Sequence, residues 1–434
     1  MREATISSSS DEARLNNDFY SNNSELCFKT RAMGEDYQKA FAEYLYKYLA
    51  ISGIEKPRIL EVGANNIRFE SGIYKRIMEL DARNRTDFAE AATYTIMDIS
   101  KAAITEAKES LTSTETFKTL LRIGDVTKGI YGNYDVIIAN ELFDDLGHEV
   151  VAKIGGKAYF VNYAVRVSYT SDPLFEPLWP VVIEVSGHGE VDDATYARYG
   201  DLIGMMENGR VWSFSENVDR AISNMAEALN SGGMLWMHDY GLLYPAPKAY
   251  SNGIRRLFAP SVESAMLSIE NGDHLGYQVT TDVNFMQVAM SVSASGMSIA
   301  KMEDHELFVG RKDGRLNISS IAIAAALDNM PDWKLELIES MLGIRDIGGP
   351  RLSIVSFLNS RFSNALLLSE GRILPRSESI LDLSKLGSAA ENLYNEISAS
   401  FYSKGIKRTV NASPLVDIAA IKEGNADLTE LLRA

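Results

Sequence analysis

The sequence predicts an α/β protein with an open, Rossmann-like parallel sheet and insertions, followed by a helical C-terminal domain. Three observations predict it. Short apolar runs ending at Gly or an acid alternate with helical periods between residues 34 and 145, as in βαβ units. The length of 434 residues exceeds one ordinary core. Past residue 314 only helical periods remain. We therefore divide the chain into a flexible arm (1–23), a sheet domain (24–314) and a helical domain (315–434).

The predicted elements of the sheet domain follow in order. An amphipathic helix over residues 34–49 precedes four strands rich in large apolar residues, at 58–63, 94–98, 120–123 and 134–139. Helices at 71–80 and 100–111 lie between them. Gly155-Gly156 turns a predicted hairpin inside an inserted region at about residues 147–212. After the insertion, the chain returns to the sheet with a helix at 216–229 and a strand at 234–241. The last elements of the sheet domain are predicted at residues 279–285, in a helix that follows them, and at residues 305–309.

Composition excludes several classes of function. The net charge of −16 argues against nucleic acid as a partner, because phosphate binding needs clustered Lys and Arg. No run approaches the roughly 18 apolar residues of a membrane span, and the Ser-rich start is no signal peptide, so we expect a cytoplasmic protein without a membrane partner. The single Cys27 excludes an internal disulfide. Five histidines without short regular spacing predict no protein-built metal site. A homodimer through the helical domain is one possibility.

The residues that follow each strand are the candidates for ligand binding, because ligands of open α/β sheets bind at the carboxyl ends of the strands. Gly63 lets a backbone approach a ligand, Asp98 suits ribose hydroxyls and Asp125 suits an adenine amine. The glycine pattern of dinucleotide-binding turns is incomplete and no phosphate loop is present. We therefore predict S-adenosylmethionine as the cofactor, bound by Glu61, Gly63, Asn65, Asp98, Ile99, Asp125, Val126 and Asn140.

The acidic segment Asn140–Leu146 follows the fourth strand, where a methyl acceptor would meet the cofactor. Three carboxylates and an amide crowded together suit a cationic group. Glu141 can orient an amine or guanidinium for attack on the methyl group, with Asn140 and Asp144 as further catalytic candidates. The alternative is a solvated acidic turn in which Asp144 caps a helix.

Several motifs together resemble the MidA-like methyltransferase family, which includes a mitochondrial arginine methyltransferase. Asn140–Leu146 (NELFDDL) is similar to the family's NE-[FL]-FDAL signature, and residues 235–241 (LWMHDYG) to its DYG motif. Weaker matches, at residues 18–21, 98–100 and 280–285, fall in the same order. Of the family's glycine-rich turn only Gly63 is kept.

The resemblance implies a class I methyltransferase fold with a seven-stranded sheet, an inserted region that covers the substrate, and methyl transfer to a protein nitrogen with arginine as the leading acceptor. Glu141 and Asp144 would face this acceptor, and the substrate-binding residues would be Asp145, His238, Asp239 and Tyr240. His238 can be a base or a structural residue. Two alternatives remain: a small-molecule N- or O-methyltransferase, and a non-catalytic assembly factor on the same fold.

Overall fold

The computed structural model describes residues 2–6, 8–22, 34–64, 66–167, 181–206, 208–242, 255–258, 278–305, 308–309, 415–422 and 428. Its main sheet contains seven principal strands. They are β2 (Arg58–Val62), β3 (Thr93–Asp98), β4 (Lys118–Ile123), β5 (Tyr134–Asn140), β10 (Leu229–Leu242), β14 (Met297–Asp304) and β15 (Leu415–Lys422). Their order is β14-β15-β10-β5-β2-β3-β4, and a short strand, β13 (Val283–Asn284), pairs with the end of β10.

All neighbours from β4 through β10 pair in parallel, whereas β15 runs antiparallel to both β10 and β14. This sheet confirms the predicted Rossmann-like, seven-stranded α/β fold. The first four predicted strands are present with boundaries shifted by at most two residues.

Helices cover both faces of the main sheet. One apolar core includes residues of α2 (Glu35–Ser52) and α3 (Arg68–Asn84), and the other includes residues of α7 (Glu216–Ala228) and α8 (Phe285–Ala294). Strand β10 shows the division, because Met234 and Trp236 belong to the first core and Leu235 and Met237 to the second. Successive side chains of a strand point to opposite faces, so a strand buried on both faces is apolar throughout. Two further helices are α4 (Phe88–Ala91) and α5 (Lys101–Ser110).

A second, antiparallel sheet precedes α7. It contains β1 (Arg2–Ile6), β6 (Glu149–Ile154), β7 (Lys157–Val167), β8 (Val181–Glu190) and β9 (Val211–Phe214), and α6 (Asp193–Met205) packs on it. Strands β6 and β7 form the predicted hairpin, with Gly155 and Gly156 both at positive φ in its turn. Strands β11 (Arg255–Phe258) and β12 (Gln278–Thr281) pair separately.

The two ends of the chain differ from the prediction. The predicted flexible arm contains strand β1, which pairs with β7, and helix α1 (Ser9–Asn22). Residues 415–422, assigned to a helical domain, instead form β15 inside the main sheet. Residues 305–309 are not the last strand, because that place belongs to β15 and the preceding strand is Met297–Asp304. Residues 315–414, and with them the proposed dimer contact, lie outside the described residues.

No helix among the described residues is both long and apolar enough to cross a membrane.

Candidate active site

The first three strands of the main sheet in chain order end side by side, and the residues after them form one edge of the site. The N–H of Gly63, after β2, donates to the carbonyl oxygen of Met97 at 2.8 Å, and the N–H of Gly124, after β4, donates to that of Asp98 at 2.9 Å. Gly63 has a φ of +69°, and a Cβ atom there would lie 2.8 Å from Leu142 Cδ1. Any other residue would be both strained and crowded at this turn.

Asp98, the last residue of β3, is buried. Its Oδ1 accepts a hydrogen bond from the N–H of Ser100 at 2.7 Å, and the Ser100 side chain caps α5 by accepting from Ala103 N–H. The Ser100 hydroxyl also donates to the carbonyl oxygen of Tyr20 at 2.9 Å, so the end of α1 covers this corner of the site. Ile99 beside it is exposed. A fixed carboxylate next to an exposed apolar side chain suits a ligand that carries both hydroxyl groups and a flat ring.

Glu61, in β2, is buried between the strands. Burial raises the pKa of its carboxyl to about 8, although the hydrogen bond that the Tyr94 hydroxyl donates to Oε2 at 2.8 Å acts in the opposite direction. At pH 7 this carboxyl is therefore mostly protonated and can donate as well as accept a hydrogen bond.

Asp125 follows β4, as predicted, but its carboxylate already has partners. Oδ1 accepts from the N–H of Thr127 at 2.9 Å and from its hydroxyl at 2.7 Å, and Oδ2 pairs with Lys128 Nζ at 2.9 Å. Burial acts to raise the pKa of Asp125, but these contacts outweigh it and hold the pKa below its ordinary value. Val126 is buried in the same turn. Asn65, another predicted cofactor residue, lies outside the described residues.

Glu141, directly after β5, has an unusual backbone. Its φ is +48°, in the left-handed region, which costs a residue with a Cβ roughly 1–2 kcal/mol. The Glu141 N–H donates to the carbonyl oxygen of His238 at 2.6 Å, and the side chain is only 10% exposed. Such strain persists only where the surroundings hold it, and it concentrates at functional sites.

Asp239, predicted to line the acceptor cleft, instead holds the turn that follows Glu141. It is fully buried, and its Oδ2 accepts from the N–H groups of Leu142 at 3.1 Å and Phe143 at 2.7 Å. Its Oδ1 accepts from the N–H of Tyr240 at 2.7 Å, and Tyr240 is itself buried. Burial raises the pKa of Asp239. The DYG motif therefore fixes the acidic segment by joining β10 to it.

Asp145, a second predicted substrate residue, is held by α1 and β12. Its Oδ2 accepts a hydrogen bond from the Tyr20 hydroxyl. Gln278 Nε2 donates to Oδ1 at 2.7 Å and to Oδ2 at 2.6 Å, and the Asp145 carbonyl oxygen accepts from Asn16 Nδ2 at 2.9 Å. Burial raises its pKa, and the bonds from Tyr20 and Gln278 oppose this. Asp145 thus ties the acidic segment to α1 and β12. The neighbouring Asp144 is buried in the same short 3₁₀ turn.

A buried cluster lies below Glu141. His238 Nε2 is 3.8 Å from Glu141 Oε1, and its Nδ1 is 2.5 Å from Asp417 Oδ1, in β15. Burial lowers the pKa of His238, but the charges of Asp417 and Glu141 outweigh it, so the pKa lies above its ordinary value. His305 Nδ1 is 3.7 Å from Asp417 Oδ2. Among the described residues, His238, His305 and Asp417 form a group of the type that holds metal ions.

A chain of hydrogen bonds runs beside this cluster, from Trp236 through Tyr37 to Asn140. The indole N–H of Trp236 donates to the Tyr37 hydroxyl at 2.9 Å, and that hydroxyl donates to Asn140 Oδ1 at 2.9 Å. The Tyr37 ring packs on the His238 ring with centroids 4.2 Å apart.

Six residues around the site were not predicted from the sequence: Asn16, Tyr20, Tyr37, Gln278, His305 and Asp417. For these residues the sequence offered one signal, the acid Asp417 within the otherwise apolar run of residues 415–421.

Comparisons with known proteins identify the class. A family profile described as an S-adenosyl-L-methionine-dependent methyltransferase matches residues 40–302. One similar solved structure is that of a protein from Burkholderia thailandensis bound to S-adenosyl-homocysteine. Its TM-score is 0.53 and its sequence identity is 14%, and the alignment covers 99% of this chain and 91% of that chain. A native structure from the same organism has a TM-score of 0.50 and 14% identity, over 98% and 90%. A search of curated proteins finds no significant match.

The fold is thus that of a class I methyltransferase. Because the profile covers more than half of the chain, the protein belongs to this S-adenosylmethionine-dependent methyltransferase family, in agreement with the MidA-like motifs. The enzyme uses S-adenosylmethionine as its cofactor.

Proposed function

We propose that this methyltransferase methylates a nitrogen of a cationic group on a protein, with arginine as the leading acceptor. The observation that carries the proposal is Glu141, a carboxylate held at the end of β5 by a left-handed backbone. Its neighbours Asp144, Asp145 and Asp239 are also acidic and buried or half-buried. Asp145 and Asp239 are occupied by internal hydrogen bonds, so Glu141 is the carboxylate that would favour a guanidinium or ammonium group over a neutral or anionic acceptor.

We also propose which residues bind the cofactor. Asp98 accepts the ribose hydroxyls, Gly63 allows the backbone to approach the methionine portion, and Ile99 and Val126 flank the adenine. The buried Asp98 carboxylate and the Gly63 turn, whose positive φ favours glycine, fit S-adenosylmethionine. When bound, this cofactor supplies an electrophilic methyl group on a sulfonium. Asp125 stays a weaker assignment, because Thr127 and Lys128 already occupy its carboxylate.

Glu141 acts on the acceptor. Its carboxylate accepts hydrogen bonds from the guanidinium and localises the positive charge away from the nitrogen that attacks. The bound cofactor would supply the methyl group and leave as S-adenosylhomocysteine, and the methylated nitrogen would pass its proton to the Glu141 carboxylate. Asp239 and Asp145 act as positioning residues, because they hold the acidic segment against β10 and α1.

Methyl-labelled cofactor tests the proposal. The enzyme is incubated with a cell lysate divided into protein and small-molecule fractions, and the products are analysed by mass spectrometry. We expect label on arginine in the protein fraction, and a fall of at least about tenfold with Glu141→Gln, equivalent to about 1.4 kcal/mol. Cofactor affinity should stay unchanged in this variant.

Glu79→Gln, on the exposed face of α3, is the control and should transfer normally. Label confined to small molecules would overturn the protein acceptor in favour of a small-molecule methyltransferase. Cofactor binding without any transfer would favour a non-catalytic role.

A further inference from the structure

The cluster of His238, His305 and Asp417 brings donors from three parts of the chain to one buried point. His238 lies in β10, Asp417 in β15, and His305 directly follows β14. Strand β15 is between the other two in the sheet, so Asp417 reaches both imidazoles: Oδ1 is 2.5 Å from His238 Nδ1 and Oδ2 is 3.7 Å from His305 Nδ1. One potential ligand atom from each residue lies within 4.8 Å of the others.

The surroundings are buried and aromatic. His238 and Asp417 are completely buried and His305 is 6% exposed. The Tyr37 ring closes the cluster, with centroids 4.2 Å from the His238 ring and 5.3 Å from the His305 ring. Buried imidazole and carboxylate groups need a compensating partner, which is either a shared proton or a metal ion. A set held by neighbouring strands is already organised for the second of these.

We propose that His238, His305 and Asp417 bind one divalent transition-metal ion of the Zn²⁺ class. Two imidazole nitrogens and one carboxylate are donors that Zn²⁺ and its neighbours in the first transition row accept, whereas Ca²⁺ and Mg²⁺ prefer oxygen donors. Metal binding replaces the hydrogen bond between His238 and Asp417 and releases its proton. This site does not depend on which group is methylated.

The sequence could not predict such a site by spacing. The three residues come from distant parts of the chain, and none is within a short helical or strand repeat of another. Three protein ligands leave a tetrahedral ion one further position, for water or a ligand atom. His238 Nε2 is 3.8 Å from Glu141 Oε1. A bound ion would therefore add positive charge close to the Glu141 carboxylate.

Metal content tests the proposal without any activity measurement. The full chain is stripped with a chelator, incubated with ZnSO₄ or CoCl₂, desalted and analysed by elemental mass spectrometry. We expect about one ion per chain, visible d–d absorption with Co²⁺, and a rise in Tm on adding Zn²⁺. His305→Ala should weaken binding by more than about tenfold.

His188→Ala is the matched control, because His188 is exposed in β8, and it should bind Zn²⁺ like the wild type. Less than about a tenth of an equivalent of both ions in the wild type would overturn the proposal. Equal binding by His305→Ala and His188→Ala would also overturn it. If His305→Ala does not fold, the Co²⁺ spectrum and the Tm shift of the wild type decide.

Discussion

Asp98 and Asp125 both follow strands of the same sheet, yet they differ in burial. Asp98 is buried, and its Oδ1 accepts from the N–H of Ser100. Asp125 is half-buried, and its carboxylate accepts from Thr127 and pairs with Lys128 in its own turn. Sequence position alone cannot distinguish them, because an acid at a strand end serves equally well as a ligand or as a turn residue.

Replacement of Asp98 tests the cofactor site. We expect Asp98→Ala to weaken binding of S-adenosylmethionine and S-adenosylhomocysteine by about tenfold, since a hydrogen bond to a charged group contributes about 1.5–3 kcal/mol. Calorimetry on the wild type, on this variant and on Asp201→Ala, an exposed residue of α6, measures the effect. Equal affinities for Asp98→Ala and the control would remove Asp98 from the site.

Glu61 makes folding stability depend on pH in a predictable direction. Its pKa is raised to about 8 by burial, so its contribution to stability is complete below the pKa of the unfolded chain, about 4.3, and is lost as the pH rises toward 8. Glu61→Gln is neutral at every pH and keeps an acceptor for the Tyr94 hydroxyl. We expect this variant to gain stability relative to the wild type between pH 5 and pH 8.

Thermal unfolding without cofactor, at several pH values, measures this difference in Tm. Glu79→Gln, at an exposed position of α3, serves as the control and should follow the wild type. A constant difference between Glu61→Gln and the wild type across this range would show that Glu61 titrates normally.

At the scale of elements, strands β2 to β5 were predictable and helix α1 was not. The strands carry their signal in continuous apolar runs such as Tyr134–Asn140. Helix α1 has a polar, Ser-rich sequence, and it is held by contacts that exist only in the folded protein. Its buried polar residues Glu12 and Asn16 bind the segment after β5 and strand β12. No local pattern reveals such a helix, because its partners lie more than a hundred residues away.

Asn16 should control how firmly α1 is attached. Its Nδ2 donates to the carbonyl oxygens of Asp145 at 2.9 Å and Val279 at 2.7 Å, and its Oδ1 accepts from the Val279 N–H at 2.8 Å. Asn16→Ala leaves these buried groups without partners, so we expect a loss of about 1–3 kcal/mol in the free energy of unfolding. Hydrogen exchange should become faster in α1 and stay unchanged in β2 and β3.

Asn17→Ala is the matched control, since the next residue of the helix is exposed. If both variants exchange alike, the bonds of Asn16 do not hold the helix.

At the scale of the whole molecule, the order of strands could be predicted only as far as β10. The segment 415–422 has the composition of a buried strand, but helical periods around it favoured a helical domain. Its true partners, β10 and β14, are decided by tertiary pairing, which local propensity does not determine. The buried His238–Asp417 contact was invisible for the same reason, since it depends on which residues face each other in the finished sheet.

The position of β15 between β14 and β10 predicts a large difference between two chemically identical substitutions. Ile418 is completely buried in β15, whereas Ile123 is 59% exposed in the edge strand β4. Ile418→Asp buries a charge between two helical layers and should cost more than about 4 kcal/mol. Ile123→Asp should change stability by less than about 1 kcal/mol. Urea denaturation compares them, and similar losses would contradict the strand order described above.

The position of β15 also has a consequence for synthesis in the cell. Residues 305–414 separate β14 from β15, so at about 5–20 residues per second the ribosome needs on the order of 5–20 s to reach the missing strand. During that interval β14 lacks β15, its partner among the described strands of the main sheet, and the edge of β10 that β15 will occupy stays open. Open edges invite pairing with other nascent chains. Expression of this enzyme should therefore depend on chaperones that shield an incomplete sheet until translation has passed residue 422.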